Sequence, residues 1–310
     1  MLLHLELGNI LKKDTLINRY LMFKNFKQKK IIVNGIKINY RIGGIGPALL
    51  LLHGYPQTHI MWRKIADQLS KKFTVICSDL RGYGDSDKPS SDSKHLTYSK
   101  TTMASDQHRL MLKLGFKKYF LAGHDRGGRV AHRMSLNYKQ IIKVIFLDII
   151  PTNTVFELAN QELARKYYHW FFLIQNYPLP EKLIGSNPEF YLKSKLKMWG
   201  TTNNFIDSKA MKEYLRCFSK KTTIHASCED YRAASSIDIK HHDNDKDKKI
   251  NCPVLVLWGK YGTLEKLYNP IKVWKKWAKN VTGHSLKCGH FLPEEKPFDT
   301  LKAIVNFCKV

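Results

Sequence analysis

The sequence predicts an α/β fold, with a mostly parallel sheet flanked by helices and a helical cap inserted between two core strands. Two observations support this prediction. Short, continuous apolar runs alternate with helical patterns, which is typical of strands that are buried on both faces and joined by right-handed crossovers. Between Pro151 and about Ile250 this alternation stops, and an apolar strand pattern then resumes at Val254.

A hairpin is expected to open the sheet, because Asn34-Gly35 separates two apolar runs and both residues tolerate the positive φ of a type I′ turn. A last strand, His284–Lys287, is predicted before a closing helix that begins at Pro297. The buried strands between these ends are predicted at Ala48–Leu52, Phe73–Cys77, Tyr119–Ala122, Val144–Leu147 and Val254–Trp258.

The segment between the last two of those buried strands is rich in aromatic residues and ends in a polar stretch, His241–Lys249. It is inserted on the side where sheet enzymes bind ligands, so we interpret it as a lid or cap. Its helical patterns cover Leu158–Gln175, Asn187–Trp199 and Lys209–Phe218. The predicted organisation is an α/β core of residues 22–150 and 251–310, a helical cap of residues 151–250, and an N-terminal extension of residues 1–21 without an assigned role.

Composition narrows the class of protein. The chain has 310 residues and a formal net charge of +26, but its basic residues are spread along the whole length, which does not favour a nucleic-acid or membrane partner. A diffuse positive field favours a small anionic substrate. The six cysteines are irregularly spaced without a CxxC pair, and no apolar run reaches the roughly 20 residues of a membrane span. We expect a cytoplasmic protein with reduced thiols.

The strongest motif is the stretch GHDRGG, residues 123–128, which follows a buried strand and precedes the predicted helix Gly127–Tyr138. Its small-x-nucleophile-x-small spacing is typical of a nucleophile elbow, a sharp strand-to-helix turn where hydrolases usually place a serine. Here that position holds Asp125. The sequence therefore predicts a carboxylate nucleophile.

A second motif, His53-Gly54-Tyr55-Pro56, follows the strand Ala48–Leu52. Gly54 lets the backbone turn closely, so the backbone N–H of Tyr55 can point into the site. With the N–H of Arg126, the residue after the proposed nucleophile, it forms a predicted oxyanion hole.

The order of catalytic groups in this architecture is nucleophile, acid and then histidine. His290, in a Gly-His turn after the last predicted strand, is the expected base. The expected acid is Asp148, at the end of Val144–Leu147, because the turn 258–262 has no carboxylate. A buried aspartate needs a partner, and a protonatable His290 would be one.

Longer segments now point to a known family. The chain resembles the haloacetate dehalogenases of the α/β-hydrolase fold, the fluoroacetate dehalogenase type, from about Met22 to its C-terminus. The segments that carry this resemblance are HGYPQTHIMW (53–62), SDLRGYGDSDKP (78–89), AGHDRGGRVAHRM (122–134), LDIIP (147–151), YYHWFF (167–172), DYRA (230–233) and GHFLPEEKP (289–297).

This resemblance implies hydrolysis of a short 2-halo acid, such as fluoroacetate or chloroacetate, to a hydroxy acid and halide. It implies an ester intermediate on the nucleophilic aspartate, neither a metal nor an organic cofactor, and a homodimer. In the family a His, a Trp and a Tyr of the cap bind the leaving halide, and the matching positions are His169, Trp170 and Tyr231. Trp199 is a further candidate for the wall of the pocket.

A halo acid brings its own carboxylate towards an anionic nucleophile, so its enzyme needs a cationic clamp. Arg126 and Arg129 lie three residues apart at the start of one predicted helix and can present guanidinium groups on the same side. The related haloalkane dehalogenases and epoxide hydrolases carry a Trp directly after the nucleophile. Arg126 in that place favours an anionic substrate.

Two departures from the resembled sequences stand near the site. Tyr55 replaces a Phe, which adds a hydroxyl, and the sequence of the loop 258–268 differs from that of the resembled proteins. Neither removes a predicted catalytic group. The alternatives are an epoxide hydrolase, a haloalkane dehalogenase, or a non-catalytic binding protein of the same fold, which would be expected to have lost part of the triad.

Overall fold

The structure is a computed structural model that describes residues 23–201 and 205–309. The proposed N-terminal extension, residues 1–21, lies outside the described residues. Within them, eight strands form one sheet in the order β1-β2-β4-β3-β5-β6-β7-β8. The strands are β1 Lys27–Val33, β2 Ile36–Gly43, β3 Ala48–Leu52, β4 Thr74–Ser78, β5 Tyr119–His124, β6 Ile141–Leu147, β7 Val254–Gly259 and β8 Val281–Leu286.

Strand direction explains how the sheet is built. β1 and β2 are antiparallel, and β2 is also antiparallel to β4, whereas all remaining neighbours are parallel. The hairpin turn lies at Asn34-Gly35, where φ is 48° and 76°, as the sequence predicted. From β3 the chain adds β4 on one side and β5 on the other. This switch opens a crevice at the carboxyl ends of the strands, the usual ligand site of an open α/β sheet.

Helices cover the sheet and fill the long segment between β6 and β7, which confirms the predicted α/β fold. Five helices flank or close the core before and after that segment: α1 Arg63–Leu69, α2 Lys100–Lys113, α3 Asp125–Asn137, α13 Pro270–Trp274 and α15 Pro297–Phe307, with the short α12 Thr263–Leu267 and α14 Leu292–Glu295 between them. The segment itself contains α4 Thr152–Glu157, α5 Gln161–Lys166, α6 Tyr168–Leu173, α7 Leu179–Ser186, α8 Pro188–Trp199, α9 Ser208–Phe218, α10 Lys221–Ala234 and α11 Ile237–Asn244.

Some predicted boundaries were wrong. The single helical pattern Leu158–Gln175 is divided, because Asn160 is extended and its side chain accepts a hydrogen bond from the Leu163 N–H, starting a new helix. The polar stretch from His241 is helical up to Asn244. β8 begins before the predicted strand, since its partner β7 pairs with it from Val281 onwards and tertiary pairing outweighs the weak local pattern.

The core is dominated by the parallel strands. Every residue of β3 and β5 is buried, which explains why β3 and residues Tyr119–Ala122 of β5 are apolar in sequence rather than alternating. In the described ranges, 23–201 and 205–309, no helix is long and apolar enough to cross a membrane.

Candidate active site

Three strand ends meet at the crevice. Tyr55 follows β3, Asp125 follows β5 and Asp148 follows β6. Both aspartates have a positive φ, 48° for Asp125 and 51° for Asp148. A positive φ is uncommon for a residue other than glycine and costs of order 1 kcal/mol or more, so it concentrates where the surrounding structure imposes it. The two carboxylates are therefore presented by strained turns at one edge of the sheet.

Close backbone packing explains the glycines around Asp125. A Cβ on Gly54 would lie 2.4 Å from the Cβ of Asp125, and a Cβ on Gly127 would lie 2.3 Å from the carbonyl oxygen of His53. Neither distance is compatible with a side chain. The two turns after β3 and β5 can approach each other only because both positions are glycine.

His290 lies between the two aspartates. Its Nδ1 is 2.6 Å from Oδ2 of Asp148, a short hydrogen bond, and its Nε2 is 3.9 Å from Oδ2 of Asp125. Asp148 is fixed on its other side because its Oδ1 accepts a 2.9 Å hydrogen bond from the Gly259 N–H. The Nε2 of His290 is buried, and this arrangement leaves it close to the Asp125 carboxyl and without a hydrogen-bond partner among the described residues.

Burial and charge set the protonation of the site. Burial alone would raise the pKa of Asp125, but nearby basic groups, His290 foremost, hold it below its ordinary value of 3.8. Burial alone would lower the pKa of His290, but the hydrogen bond and charge of Asp148 raise it above 6.5. Burial lowers the pKa of the adjacent His124 to about 3, with the charge of His290 as the next cause. Asp125 is therefore ionised at neutral pH and His290 is the group that titrates nearby.

One arm of the predicted oxyanion hole is visible as a hydrogen bond. The Tyr55 N–H donates to Oδ1 of Asp125 at 2.8 Å. Arg126 occupies the first turn of α3, where backbone N–H groups lack intrahelical partners. Oδ1 is thus held by the backbone, whereas Oδ2 is the carboxylate oxygen nearest to His290. The Tyr55 hydroxyl points elsewhere and donates to the Tyr191 hydroxyl at 3.2 Å.

The two predicted clamp arginines are buried, and each already donates hydrogen bonds to other groups of the protein. Arg126 donates from Nε and Nη2 to the Asp230 carboxylate at 2.9 and 2.7 Å. Arg129 donates from Nη1 to the Ile150 carbonyl oxygen and the Thr152 hydroxyl. Nη1 of Arg126 and Nε of Arg129 are buried without a partner in the described part of the chain.

The remaining predicted residues surround the same pocket. Nδ1 of His169, Nε1 of Trp199 and the hydroxyl of Tyr231 are buried and lack a partner within residues 23–201 and 205–309. Ring centroids of Tyr231 lie 5.5 Å from His169 and 5.8 Å from Trp170. A narrow cavity joins His169 and Trp199 to the carboxylates, and Tyr231 lies behind its wall; the cavity is lined by Asp125, Arg129, Asp148, Tyr167, His169, Trp170, Trp199, Leu264 and His290.

A second cavity continues this pocket towards the surface. It shares Asp148, Tyr167, Trp199 and His290 with the inner cavity. Its outer wall includes the exposed side chains of Lys166 and Lys266, among others. The two cavities together form a route from solvent to the carboxylates.

Sequence reasoning missed several groups at the site. Asp230 was part of the DYRA segment but was not singled out, and its adjacency to Tyr231 was the available signal. Tyr167 and Leu264 line the inner cavity without a motif of their own. Lys195 is buried next to the pocket, where an apolar residue would be expected. No group of three or more His, Cys, Asp or Glu side chains within the described ranges could hold a metal ion.

Comparison with known proteins agrees with this geometry. The sequence profile of the alpha/beta hydrolase fold matches residues 47–297. The chain is 42% identical to a fluoroacetate dehalogenase from Burkholderia sp., over 92% of this chain and 95% of that protein. It is 32% identical to a soluble epoxide hydrolase from Corynebacterium sp. strain C12, over 89% and 95% of the two chains.

A solved structure from Nostoc sp. PCC 7120, provisionally described as an alpha/beta hydrolase, superimposes with a TM-score of 0.92 at 51% identity. The match covers 92% of this chain and 99% of that one. The fold and the strand-end site therefore define an enzyme of the α/β-hydrolase family. Within it, the chain belongs to the haloacetate dehalogenase family, whose members are hydrolases acting on carbon–halide bonds.

Proposed function

We propose that the protein hydrolyses short 2-halo acids, such as fluoroacetate or chloroacetate, to the hydroxy acid and halide through an ester on Asp125. The observation that carries this proposal is the pairing of a carboxylate nucleophile with two buried arginines whose Nη1 and Nε atoms lack partners in the described residues. An unpartnered buried guanidinium nitrogen is costly, and a substrate carboxylate would satisfy both nitrogens. The 42% identity to a fluoroacetate dehalogenase supports the same substrate class.

In the first proposed step, Oδ2 of Asp125 attacks the carbon that bears the halogen. A carbon–oxygen bond forms, the carbon–halogen bond breaks, and the halide leaves with the bonding electrons. Arg126 and Arg129 hold the substrate carboxylate so that it does not repel the nucleophile. His169, Trp170 and Tyr231 are the proposed halide donors. A hydrogen bond that becomes stronger as negative charge develops on the halide lowers the barrier by about 3 kcal/mol, by analogy with a donor in an oxyanion hole.

In the second proposed step, His290 activates a water that attacks the ester carbonyl carbon of Asp125. His290 takes one proton of the water and returns it to the leaving alkoxide oxygen, while the remaining proton goes to solvent as Asp125 ionises again. The oxyanion forms on Oδ1, which already accepts the Tyr55 N–H. Asp148 orients His290 and stabilises its protonated form through the 2.6 Å hydrogen bond.

We also propose that the helical segment 151–250 acts as the cap of this site. It supplies Tyr167, His169, Trp170 and Trp199 to the cavity, whereas the α/β core supplies the two aspartates and His290. An apolar, water-excluding wall strengthens the electrostatic interactions inside the pocket.

An epoxide is the second candidate substrate, because the 32% identical Corynebacterium relative is an epoxide hydrolase. The same aspartate could open an epoxide by the same attack. Arg126 beside the nucleophile favours a halo acid over an epoxide, because a neutral epoxide has no anionic group for the free arginine nitrogens to bind. The substrate panel in the experiment includes both classes.

The test is halide release by the purified protein from fluoroacetate and chloroacetate, with chloroacetamide and an epoxide panel in parallel. We expect halide from the acids and slower turnover of the uncharged compounds. Turnover of epoxides without halide from either acid would contradict the proposal.

Variants test the order of steps. Asp125→Asn removes the nucleophile and should abolish turnover, whereas His290→Asn should stall after the first step. Mass spectrometry of the stalled protein should then show a covalent adduct on Asp125. His284→Asn is the matched control, since His284 is exposed on β8. A His290→Asn protein that releases halide without any adduct would contradict the covalent route.

A further inference from the structure

Lys195 on α8 is buried in an unusual way. Its side chain has no exposed surface, and its ammonium nitrogen has no hydrogen-bond partner within residues 23–201 and 205–309. A buried lysine is normally paired, because removing an ammonium from water costs several kcal/mol. The catalytic steps proposed above do not use it.

Aromatic rings take the place of an anion around Lys195. Nζ lies 3.2 Å from the ring centroid of Tyr168, 5.4 Å from that of Trp199 and 5.6 Å from that of Tyr191. The negative faces of such rings attract a cation, and the attraction grows when the cation is desolvated. Burial lowers the pKa of Lys195 to about 7. The rings therefore hold a cation that burial would otherwise disfavour.

This cage adjoins the end of the pocket where we place the leaving halide. The Trp199 ring, one wall of the cage, lies 4.5 Å from the His169 ring. Burial holds the pKa of His169 well below 6.5, and Lys195 is the charge that contributes most after burial. Lys195 and His169 are thus both neighbours of the Trp199 ring, on the side of the pocket where we place the halide.

We propose that Lys195 is a positioning residue that favours departure of the halide, by placing a desolvated positive charge behind His169 and Trp199. This proposal rests on the proposed function. In the first step, negative charge moves from the Asp125 carboxylate to the halide as the carbon–halogen bond breaks. A cation closer to the halide than to the nucleophile stabilises the transition state more than the ground state, and so raises kcat rather than lowering KM.

The experiment replaces Lys195 with Met, which keeps the length of the side chain and removes its charge. We expect fluoride release by Lys195→Met to be slower by about 10- to 100-fold, which is the effect of losing one electrostatic contact in a site without water. KM should change by less than about 3-fold. The matched control is Lys197→Met, because Lys197 is exposed on the same helix. Lys197→Met should behave as the unchanged protein.

Leaving groups separate an electrostatic role from a packing role. Fluoride carries a concentrated charge and depends most on nearby cations, whereas bromide leaves more readily. Lys195→Met should therefore slow fluoroacetate more than bromoacetate. Equal loss for both halides, or a wild-type rate of fluoride release, would overturn the proposal. Absence of halide release from the unchanged protein would instead refute the proposed function itself.

A pH profile gives a second readout. The rings of Tyr168, Tyr191 and Trp199 that face Nζ carry no charge at neutral pH. Beyond Trp199, the titratable rings of His169 and His290 lie 4.5 and 5.5 Å from its ring. The first step should be measured in a His290→Asn background, which removes the base of the second step. Its rate should fall as pH rises through about 7, because the ammonium loses its proton, and Lys195→Met should lack this fall. A fall that persists in Lys195→Met would overturn the assignment.

Discussion

At the scale of single residues, environment suits two similar carboxylates to the different tasks proposed for them. Asp148 accepts from Gly259 and His290, so both of its oxygens are engaged. Oδ1 of Asp125 accepts a backbone hydrogen bond from Tyr55, and its Oδ2 lies 3.9 Å from Nε2 of His290. A carboxylate with a free oxygen can act as a nucleophile, whereas one bound on both oxygens orients its partner.

Asp230 holds the proposed clamp residue Arg126 in place from outside the inner cavity. It is fully buried and accepts hydrogen bonds from Arg126, from the Tyr83 hydroxyl at 2.7 Å, and from Lys100. These contacts hold the pKa of Asp230 far below its ordinary value, against the effect of burial. Because Asp230 occupies Nε and Nη2 of Arg126, Nη1 is the guanidinium nitrogen left without a partner among the described residues.

The first prediction concerns this residue. Asp230→Asn should raise KM for chloroacetate by about 10-fold or more while changing turnover of chloroacetamide little, because only the acid uses the oriented arginine. Removing one partner of a buried ion pair also costs about 3–5 kcal/mol, so the melting temperature should fall. Steady-state kinetics and thermal melts measure both effects.

Milder and control variants keep this prediction testable. Tyr83→Phe removes a single hydrogen bond to Asp230 and should shift KM in the same direction by less. Asp85→Asn should have little effect, since its partner Arg216 is largely exposed and exposed ion pairs contribute about 0–1 kcal/mol. A KM that rises equally for acid and amide would contradict the role of Asp230.

At the scale of elements, α3 connects the core to the helical segment 151–250. It begins at Asp125, where the positive end of the helix dipole favours a carboxylate, and it carries Arg126 and Arg129 one turn apart. Further along, His132 packs 5.3 Å from His242 of α11, ring centroid to ring centroid. The same helix thus presents the proposed nucleophile and contacts the last helix of the proposed cap.

The second prediction is a loss of stability in acid at this contact. Burial holds the pKa of His132 well below 6.5 and lowers that of His242 to about 4. Both histidines stay neutral in the folded protein, whereas the unfolded chain binds protons below about pH 6.5. The free energy of unfolding should therefore be highest above pH 6.5 and should decrease as pH falls, by about 2 kcal/mol per histidine at pH 5.

Thermal melts from pH 7.5 to pH 5 measure this loss. His132→Phe keeps an aromatic ring against Trp274 and Trp277, at 4.9 and 5.1 Å in the native contact, but cannot bind a proton. Its melting temperature should depend less on pH than that of the unchanged protein. The exposed His284→Asn serves as the control, and an unchanged pH dependence in His132→Phe would contradict the prediction.

At the scale of the whole molecule, charge and access act together. The net charge of +26 creates a positive field around a protein whose proposed substrate is an anion. Lys166 and Lys266 stand at the outer wall of the cavity that leads to the carboxylates. The exposed Glu162 lines the same wall, so two lysines outnumber one acidic residue there. A net positive field near a narrow opening raises the local concentration of an anionic substrate.

The third prediction is that kcat/KM for chloroacetate falls with ionic strength. Between low salt and 0.3 M salt we expect a decrease of about 3- to 10-fold, because added ions screen exposed charges. The value for chloroacetamide should remain nearly constant. For chloroacetate, the double variant Lys166→Gln with Lys266→Gln should lower kcat/KM at low salt and weaken the dependence of kcat/KM on salt.

Lys279→Gln is the control for this experiment. Lys279 is exposed and precedes β8, at the opposite end of that strand from the site. If this variant reproduces the loss seen in the double variant, general charge rather than the cavity mouth is responsible. Equal salt dependence for acid and amide would contradict electrostatic attraction altogether.

The sequence alone was enough to predict the α/β fold and to single out Asp125, Asp148 and His290, which the structure brings to one edge of the sheet. The physical reason is that these features depend on local patterns. Buried parallel strands are apolar throughout, and a sharp turn requires glycines at set positions. The carboxyl ends of parallel strands then lie at the same edge, so residues that follow different strands must be close.

Other properties were decided only by the tertiary structure. The Asp230 carboxylate that occupies Arg126 lies 104 positions away in sequence, and no local pattern indicates that contact. Lys195 is one of many lysines, and only the packing of Tyr168, Tyr191 and Trp199 around it makes it a desolvated cation. Burial, charge pairing and the free nitrogens of the clamp arise from contacts between distant segments, and these contacts exist only once the chain has folded.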